Sequence, residues 1–147
     1  MEGKDLVSNH QEISYDDIQT ILSHRFPFLL VDKIINIAED SIVGIKNVSG
    51  TDFYLQGHFP NNAVYPGVLL IESCAQVGGI LVSKMMSGQG YLARVNDFKF
   101  TDFIVPGDTI EITAKYQSKL QKFVQVEVKA EVKGKLVGKG IVVYSFI

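Results

Sequence analysis

One histidine and one glutamate on a single short segment hold the chemistry this chain can do. His58 sits in the loop Gly57-His58-Phe59-Pro60-Asn61-Asn62-Ala63-Val64-Tyr65, freed at Gly57 and stiffened at Pro60. An imidazole is a ready general base near neutral pH. Pro66 and Gly67 then open an apolar helix. The unpaired N–H groups of Gly67 and Val68 at its start suit a developing oxyanion. Glu72 follows in the early turns, and Gln76, one helical turn on, shares its face. A carboxyl group among Leu69, Leu70, Ile71, Cys74 and Ala75 is costly to bury unless paired or protonated, which makes it a candidate general acid. Base, oxyanion donors and acid together suit removal of a proton beside a carbonyl. Each feature also has a plainer explanation: a loop histidine is commonly structural, every helix has a start, and the helix dipole alone favours an early glutamate.

Other chemistries find less support. His10 and His24 lie far along the chain from His58 and share no spacing with it. No His, Cys and Asp cluster has metal-ligand spacing, so no metal site is expected. Cys74 lies inside the apolar helix with no histidine near it in sequence, which fits a small core residue better than a nucleophile. There is no Gly-x-Ser-x-Gly elbow and no Walker or Rossmann glycine pattern.

The elements that must position these groups are legible from period and punctuation. Residues 14–22 predict a short helix, with Ser14 as N-cap and Asp16 and Asp17 in the first turn. Residues 29–35 and 42–48 predict strands, and Gly50, Gly57 and Pro60 mark the stretch between 49 and 65 as loop. The long apolar helix is expected from Pro66 to about Met86, stopped by Ser87-Gly88. The period then changes to two. Ile110, Ile112, Ala114 and Tyr116 alternate with polar residues, as do Val124, Val126, Val128, Ala130 and Val132, and residues 136–147 form a third run. Pro106-Gly107-Asp108 and Lys133-Gly134-Lys135 read as turns. Strands that do not alternate with helices disfavour a parallel sheet. A helix apolar nearly all round needs cover on most sides, which a curved antiparallel sheet supplies. The expected class is therefore α+β, in the wrapped arrangement called a hot dog.

At 147 residues one domain, 1–147, is the default, and it can bury a core without disulfide or metal staples. Hydrophobic content of 46% and charged content of 20% argue against disorder. A net charge of -2 disfavours a general nucleic-acid binder. The lone cysteine removes any internal disulfide and fits a reduced, cytoplasmic compartment. Met1 to Asp5 carry no apolar run of signal-peptide type. Residues 68–86 approach the ~20 apolar residues of a membrane span. Glu72, Gln76, Gly78-Gly79 and Ser83 interrupt them, so a buried helix of a soluble protein is expected.

Beyond these patterns, Gly57-His58-Phe59-Pro60, Val64-Tyr65-Pro66-Gly67-Val68-Leu69, Glu72 and Ala75-Gln76 resemble the signature of (3R)-hydroxyacyl-[acyl carrier protein] dehydratases of the FabZ type. His24-Arg25-Phe26-Pro27-Phe28-Leu29-Leu30-Val31-Asp32 resembles that family's N-terminal motif. Phe98-Lys99-Phe100 and Val105-Pro106-Gly107-Asp108 fall where it has a basic-aromatic strand and a turn. The resemblance covers nearly the whole chain from about residue 14. It implies a hot-dog fold and dehydration of a 3-hydroxyacyl thioester to the trans-2-enoyl thioester, in fatty-acid or related lipid or polyketide synthesis, with no cofactor. It places the catalytic histidine on His58, the catalytic glutamate on Glu72, the oxyanion N–H on Gly67 and the glutamate's support on Gln76. It further implies acyl carrier protein as partner and sites built across a homodimer, with His and Glu from opposite protomers, commonly in trimers of dimers.

Three positions depart from that pattern. Ala63 replaces a proline, which predicts a less rigid loop after the histidine. Ser73-Cys74 replaces an apolar pair. Thr101-Asp102 follows Phe100 where the family tends to be basic, although Arg94, Lys99 and Lys84 can still supply positive charge to a carrier. The alternatives are a hot-dog thioesterase and a non-catalytic acyl-binding subunit. Retention of both His58 and Glu72 disfavours the second, and fold alone separates none of the three.

Overall fold

The chain is described here by a computed structural model covering residues 11–147. Met1 to Asp5 and His10 lie outside the described residues. Helix α1 (Tyr15–Ile18) starts as predicted, with Ser14 Oγ accepting from the Asp17 N–H at 3.2 Å. It is shorter than expected. The Arg25 guanidinium donates to the carbonyls of Gln19, Leu22 and His24, at 2.8, 2.9 and 2.7 Å, and turns the chain after α1.

Strand β1 (Lys33–Ile37) begins later than predicted. Leu29, Leu30 and Val31 are buried but join no strand, because the Leu30 N–H is taken by the Gln76 side chain instead of a ladder. Strand β2 (Ser41–Asn47) follows, then a 3-10 turn at Phe53–Gln56, then helix α2 (Gly67–Val82). The helix ends short of Met86: Met85 and Met86 both turn their N–H groups onto the Val82 carbonyl. Among the described residues no helix is long and apolar enough to cross a membrane.

Strands β3 (Gly90–Phe100), β4 (Thr109–Leu120), β5 (Phe123–Val132) and β6 (Lys135–Phe146) complete one six-stranded antiparallel sheet, in the order β1-β2-β4-β5-β6-β3. The β5–β6 hairpin turns on Lys133 and Gly134, both at positive φ (51° and 78°), as a tight two-residue turn requires. Strand β3 was not visible to alternation. It is an edge strand whose Tyr91, Leu92 and Val95 are exposed, so neither face shows a buried rhythm.

The concave face of the sheet carries Ile42, Ile110, Ile112, Ala114, Val124, Val126, Val128 and Val142, all buried against α2 residues such as Cys74, Val77 and Leu81. This is the wrapped helix expected of the hot-dog class. Helix and sheet come close together at Gly78, where any Cβ would collide with the Tyr144 hydroxyl; that hydroxyl donates to the Ala75 carbonyl. The central helix is thus hydrogen-bonded to β6 as well as packed on it.

Candidate active site

The His58 loop is built from short-range bonds. His58 N–H donates to the Leu55 carbonyl at 3.3 Å, and Val64 N–H donates back to the His58 carbonyl at 2.9 Å. Phe59 and Asn62 exchange N–H bonds at 3.2 and 3.0 Å, with Asn61 at a positive φ of 64°. The expected slackness at Ala63 is countered by these closures, and Ala63 itself packs against the core. The His58–Phe59 peptide bond is cis and the two rings stack, with centroids 4.2 Å apart. His58 Nδ1 lies 2.9 Å from the Val64 carbonyl, which can only accept. Nδ1 therefore carries the proton, and Nε2 keeps the lone pair that a general base needs.

His58 and Gly67 line one cavity of about 390 Å³, together with Tyr65, Leu70, Phe98's neighbour Phe100, and Ile104. Gly67 is the first residue of α2, so its N–H has no partner within the helix. Absence of a side chain there matters: a Cβ would come within 2.9 Å of the Phe100 ring. His58 and Gly67, the expected base and oxyanion donor, thus share a mostly apolar chamber. Val68 is 74% exposed and lines neither this cavity nor the next, so only its backbone N–H bears on the oxyanion role expected of it.

Glu72 faces a different cavity of about 380 Å³, with His24, Ala75, Gln76 and Tyr144. Within one protomer the structure therefore separates the two groups that the sequence places on one segment. Gln76 is 2% exposed and uses its whole amide. Its Nε2 donates to Glu72 Oε2 at 2.8 Å and to the Phe28 carbonyl at 2.7 Å, and its Oε1 accepts from the Leu30 N–H at 2.8 Å. Gln76 is hydrogen-bonded to Glu72, the residue it is expected to support, and also fastens residues 28–30 to the helix.

A second neighbour of Glu72 escaped sequence reasoning. His24 Nε2 lies 3.5 Å from Glu72 Oε2, although almost fifty residues intervene. Its only signal was its place at the head of the His24–Asp32 motif. Other groups are quiet. Cys74 is fully buried, and burial pushes its thiol far above the ordinary range, which suits a core residue. Burial also raises the Tyr65 phenol, which stays protonated and shares a 2.8 Å bond with Ser73 Oγ. Asp102 at the rim of the His58 cavity is bonded to Lys135 Nζ at 2.7 Å, so the unexpected aspartate adds little free negative charge there. Among the described residues no three His, Cys, Asp or Glu side chains gather as metal ligands.

With this geometry in hand, the likeness to known proteins is specific. The FabA-like domain family matches residues 22–141. The 3-hydroxyacyl-[acyl-carrier-protein] dehydratase FabZ of Syntrophomonas wolfei is 46% identical over 109 residues, covering 71% of this chain and 76% of that protein. The bifunctional enzyme LpxC/FabZ of Porphyromonas gingivalis is 45% identical over 107 residues, which are 70% of this chain but 23% of that much longer protein. Among solved structures, the dehydratase heterocomplex ApeI:P from Xenorhabdus doucetiae superposes with a TM-score of 0.76 at 19% identity, over 88% of this chain and 90% of that one. That last likeness speaks to the fold.

Proposed function

The chain belongs to the FabA-like family of 3-hydroxyacyl-[acyl-carrier-protein] dehydratases, and from that membership we propose that each active site takes His58 from one protomer and Glu72 from another. The enzyme removes water from a 3-hydroxyacyl thioester on acyl carrier protein, in fatty-acid biosynthesis. Nothing carries over from the longer bifunctional relative beyond the matched part.

The proton beside a thioester carbonyl is weakly acidic, so the base must act while the carbonyl oxygen is stabilised. His58 Nε2 takes that proton from C2, and the Gly67 N–H holds the enolate-like oxygen. The C3–O bond then breaks. Glu72 gives its proton to the departing oxygen, water leaves, and the trans-2-enoyl thioester remains. The proton on His58 returns to Glu72 through solvent before the next turnover. The reaction is redox-neutral, so the proposal invokes no cofactor. The apolar lining of the His58 cavity suits the acyl chain. Residues 1–147 act in this proposal as one catalytic domain working in the cytoplasm.

The observation that carries the shared site is the separation of His58 and Glu72 into two cavities of one protomer. Supporting it, β3 offers a free sheet edge, with exposed Tyr91, Leu92 and Val95. A two-fold pairing of such edges would cover those residues and bring one protomer's His58 chamber against the other's Glu72. Whether such dimers gather further, into trimers of dimers, is part of the same proposal.

The test is an incubation with a 3-hydroxyacyl carrier-protein thioester, following enoyl absorbance and free thiol together. Enoyl product without thiol is expected; thiol release without enoyl product overturns the reading in favour of a thioesterase. Sedimentation of the active protein is expected to show a dimer or larger assembly, and an active monomer would refute the shared site.

A further inference from the structure

Glu72 has a partner that lies outside its own helix and outside the motif around it. We propose that His24 is a positioning residue for Glu72, fixing one carboxylate oxygen so that the other meets the leaving hydroxyl. The inference rests on the acid role given to Glu72 above.

His24 is held in place from several sides. Arg25 binds the His24 carbonyl along with those of Gln19 and Leu22, which sets the backbone of the turn. The imidazole lies nearly parallel to the Phe28 ring, at 15° with centroids 6.3 Å apart. The Phe28 carbonyl in turn accepts from Gln76 Nε2, the same nitrogen that donates to Glu72. His24, Phe28 and Gln76 thus close a ring of contacts around the carboxylate. Nothing in packing alone requires a nitrogen there.

The ring's orientation assigns its proton. His24 Nδ1 is buried and has no hydrogen-bond partner. A nitrogen in that position is best left as a bare lone pair, since a buried N–H without an acceptor is costly. Nε2 then carries the hydrogen, and Nε2 is the atom 3.5 Å from Glu72 Oε2. The Gln76 N–H thus bonds Oε2 at 2.8 Å, the His24 N–H faces the same oxygen at the longer 3.5 Å, and Oε1 is left for substrate. When Glu72 gives its proton to the departing hydroxyl, negative charge grows on the carboxylate beside these two donors. The stabilisation arises at C–O cleavage and has no counterpart at the earlier C–H step, which belongs to His58 in the other cavity.

That asymmetry supplies the test. Run the reaction in D2O and compare deuterium at C2 of recovered 3-hydroxyacyl thioester with enoyl product formed. His24→Phe keeps a ring to stack on Phe28 and removes the nitrogen. We expect kcat to fall about ten- to hundredfold with KM changed less than about threefold. The ratio of exchange to elimination should rise, because enolate forms and returns more often than it loses water. His24→Gln restores an N–H donor and should recover most of both. Wild-type kcat in His24→Phe overturns the proposal, as does a proportional loss of exchange and elimination, which marks a merely structural role. Failure of His24→Gln to recover either quantity while the oligomer persists also counts against it. Failure of the acid assignment itself looks different: Glu72→Gln would then leave dehydration unchanged, whatever His24 does.

Discussion

His58 and Glu72 are close in sequence yet are held in opposite ways. The His58 loop is braced mainly by its neighbours: the Leu55, Asn62 and Val64 backbone bonds all span a few residues, and Val64 also fixes the imidazole tautomer. The longer tie, from the Tyr65 N–H to the Ile104 carbonyl at 2.8 Å, comes only at the loop's end. Glu72 is braced from afar, by Gln76 on its own helix but through Gln76 by Phe28 and Leu30, and by His24. A locally braced base keeps its geometry whenever its own segment folds. A remotely braced acid keeps its geometry only while the segment at 24–30 stays docked on α2. The two halves should therefore fail differently when disturbed.

The largest effect should come from the base. His58→Ala is expected to lower kcat about a thousandfold and Glu72→Gln about a hundredfold, within the usual span of general acid–base contributions, with the oligomer intact in both. Mixing the two dead variants should then restore activity. Random pairing makes half of the dimers mixed, and each mixed dimer has one complete site of two, so about a quarter of wild-type activity should return. A mixture that stays dead after exchange of protomers would place both residues in one protomer's site and remove the contrast between halves.

Next in size is the brace on the acid side. Gln76→Leu fills the same space but strands the Leu30 N–H and the Phe28 carbonyl, and leaves Glu72 Oε2 with His24 alone. Denaturant unfolding should show a loss of about 2–4 kcal/mol, because buried groups left without partners carry their full desolvation cost. The loss should come with faster hydrogen exchange in residues 24–31 and none in the His58 loop. Equal loosening of both regions would mean that the two halves share one brace. Smaller again, Tyr65→Phe removes the bond to Ser73 that ties the end of the His58 loop to α2. About 1 kcal/mol is the expected cost, since Ser73 loses a single neutral partner.

The same contrast explains what could be read from the chain. The His58 loop, the start of α2 at Gly67 and the β5–β6 turn were legible because their causes are local: prolines, glycines and a two-residue period. The wrapped sheet followed from one apolar helix with too many faces to hide. What alternation missed was β3, because an edge strand with exposed apolar residues on both faces has no buried rhythm. The late start of β1 was missed because Leu29, Leu30 and Val31 look like a strand in composition, and only Gln76 across the fold decides otherwise. His24 lies far along the chain from both site residues, a measure with no bearing on its distance from Glu72 in the fold. Departures from the dehydratase pattern were legible as letters, but their consequences were not. Asp102 reads in sequence as an acid facing an acidic carrier, and only the fold puts Lys135 beside it.

That last pair gives the smallest and most local test of the His58 half. The Lys135 ammonium and the Phe103 N–H both hold the Asp102 carboxyl below the ordinary aspartate range, Lys135 more strongly. Any stability this adds is present above the ordinary aspartate pKa and is lost as pH falls through the lowered one. The pair sits in solvent, so unfolding should barely register it, while a carboxyl-carbon NMR titration should resolve it. Lys135→Ala should move the Asp102 midpoint upward without reaching the ordinary value, because the Phe103 N–H remains. If the carrier approaches past this rim, the same substitution should raise KM for the carrier-borne substrate and leave kcat alone, since the Asp102 carboxylate loses its compensating cation at the mouth of a cavity whose base it does not touch. A change in kcat instead would mean that the rim and the His58 loop are coupled, and that the half braced by its own neighbours is less self-contained than its hydrogen bonds suggest.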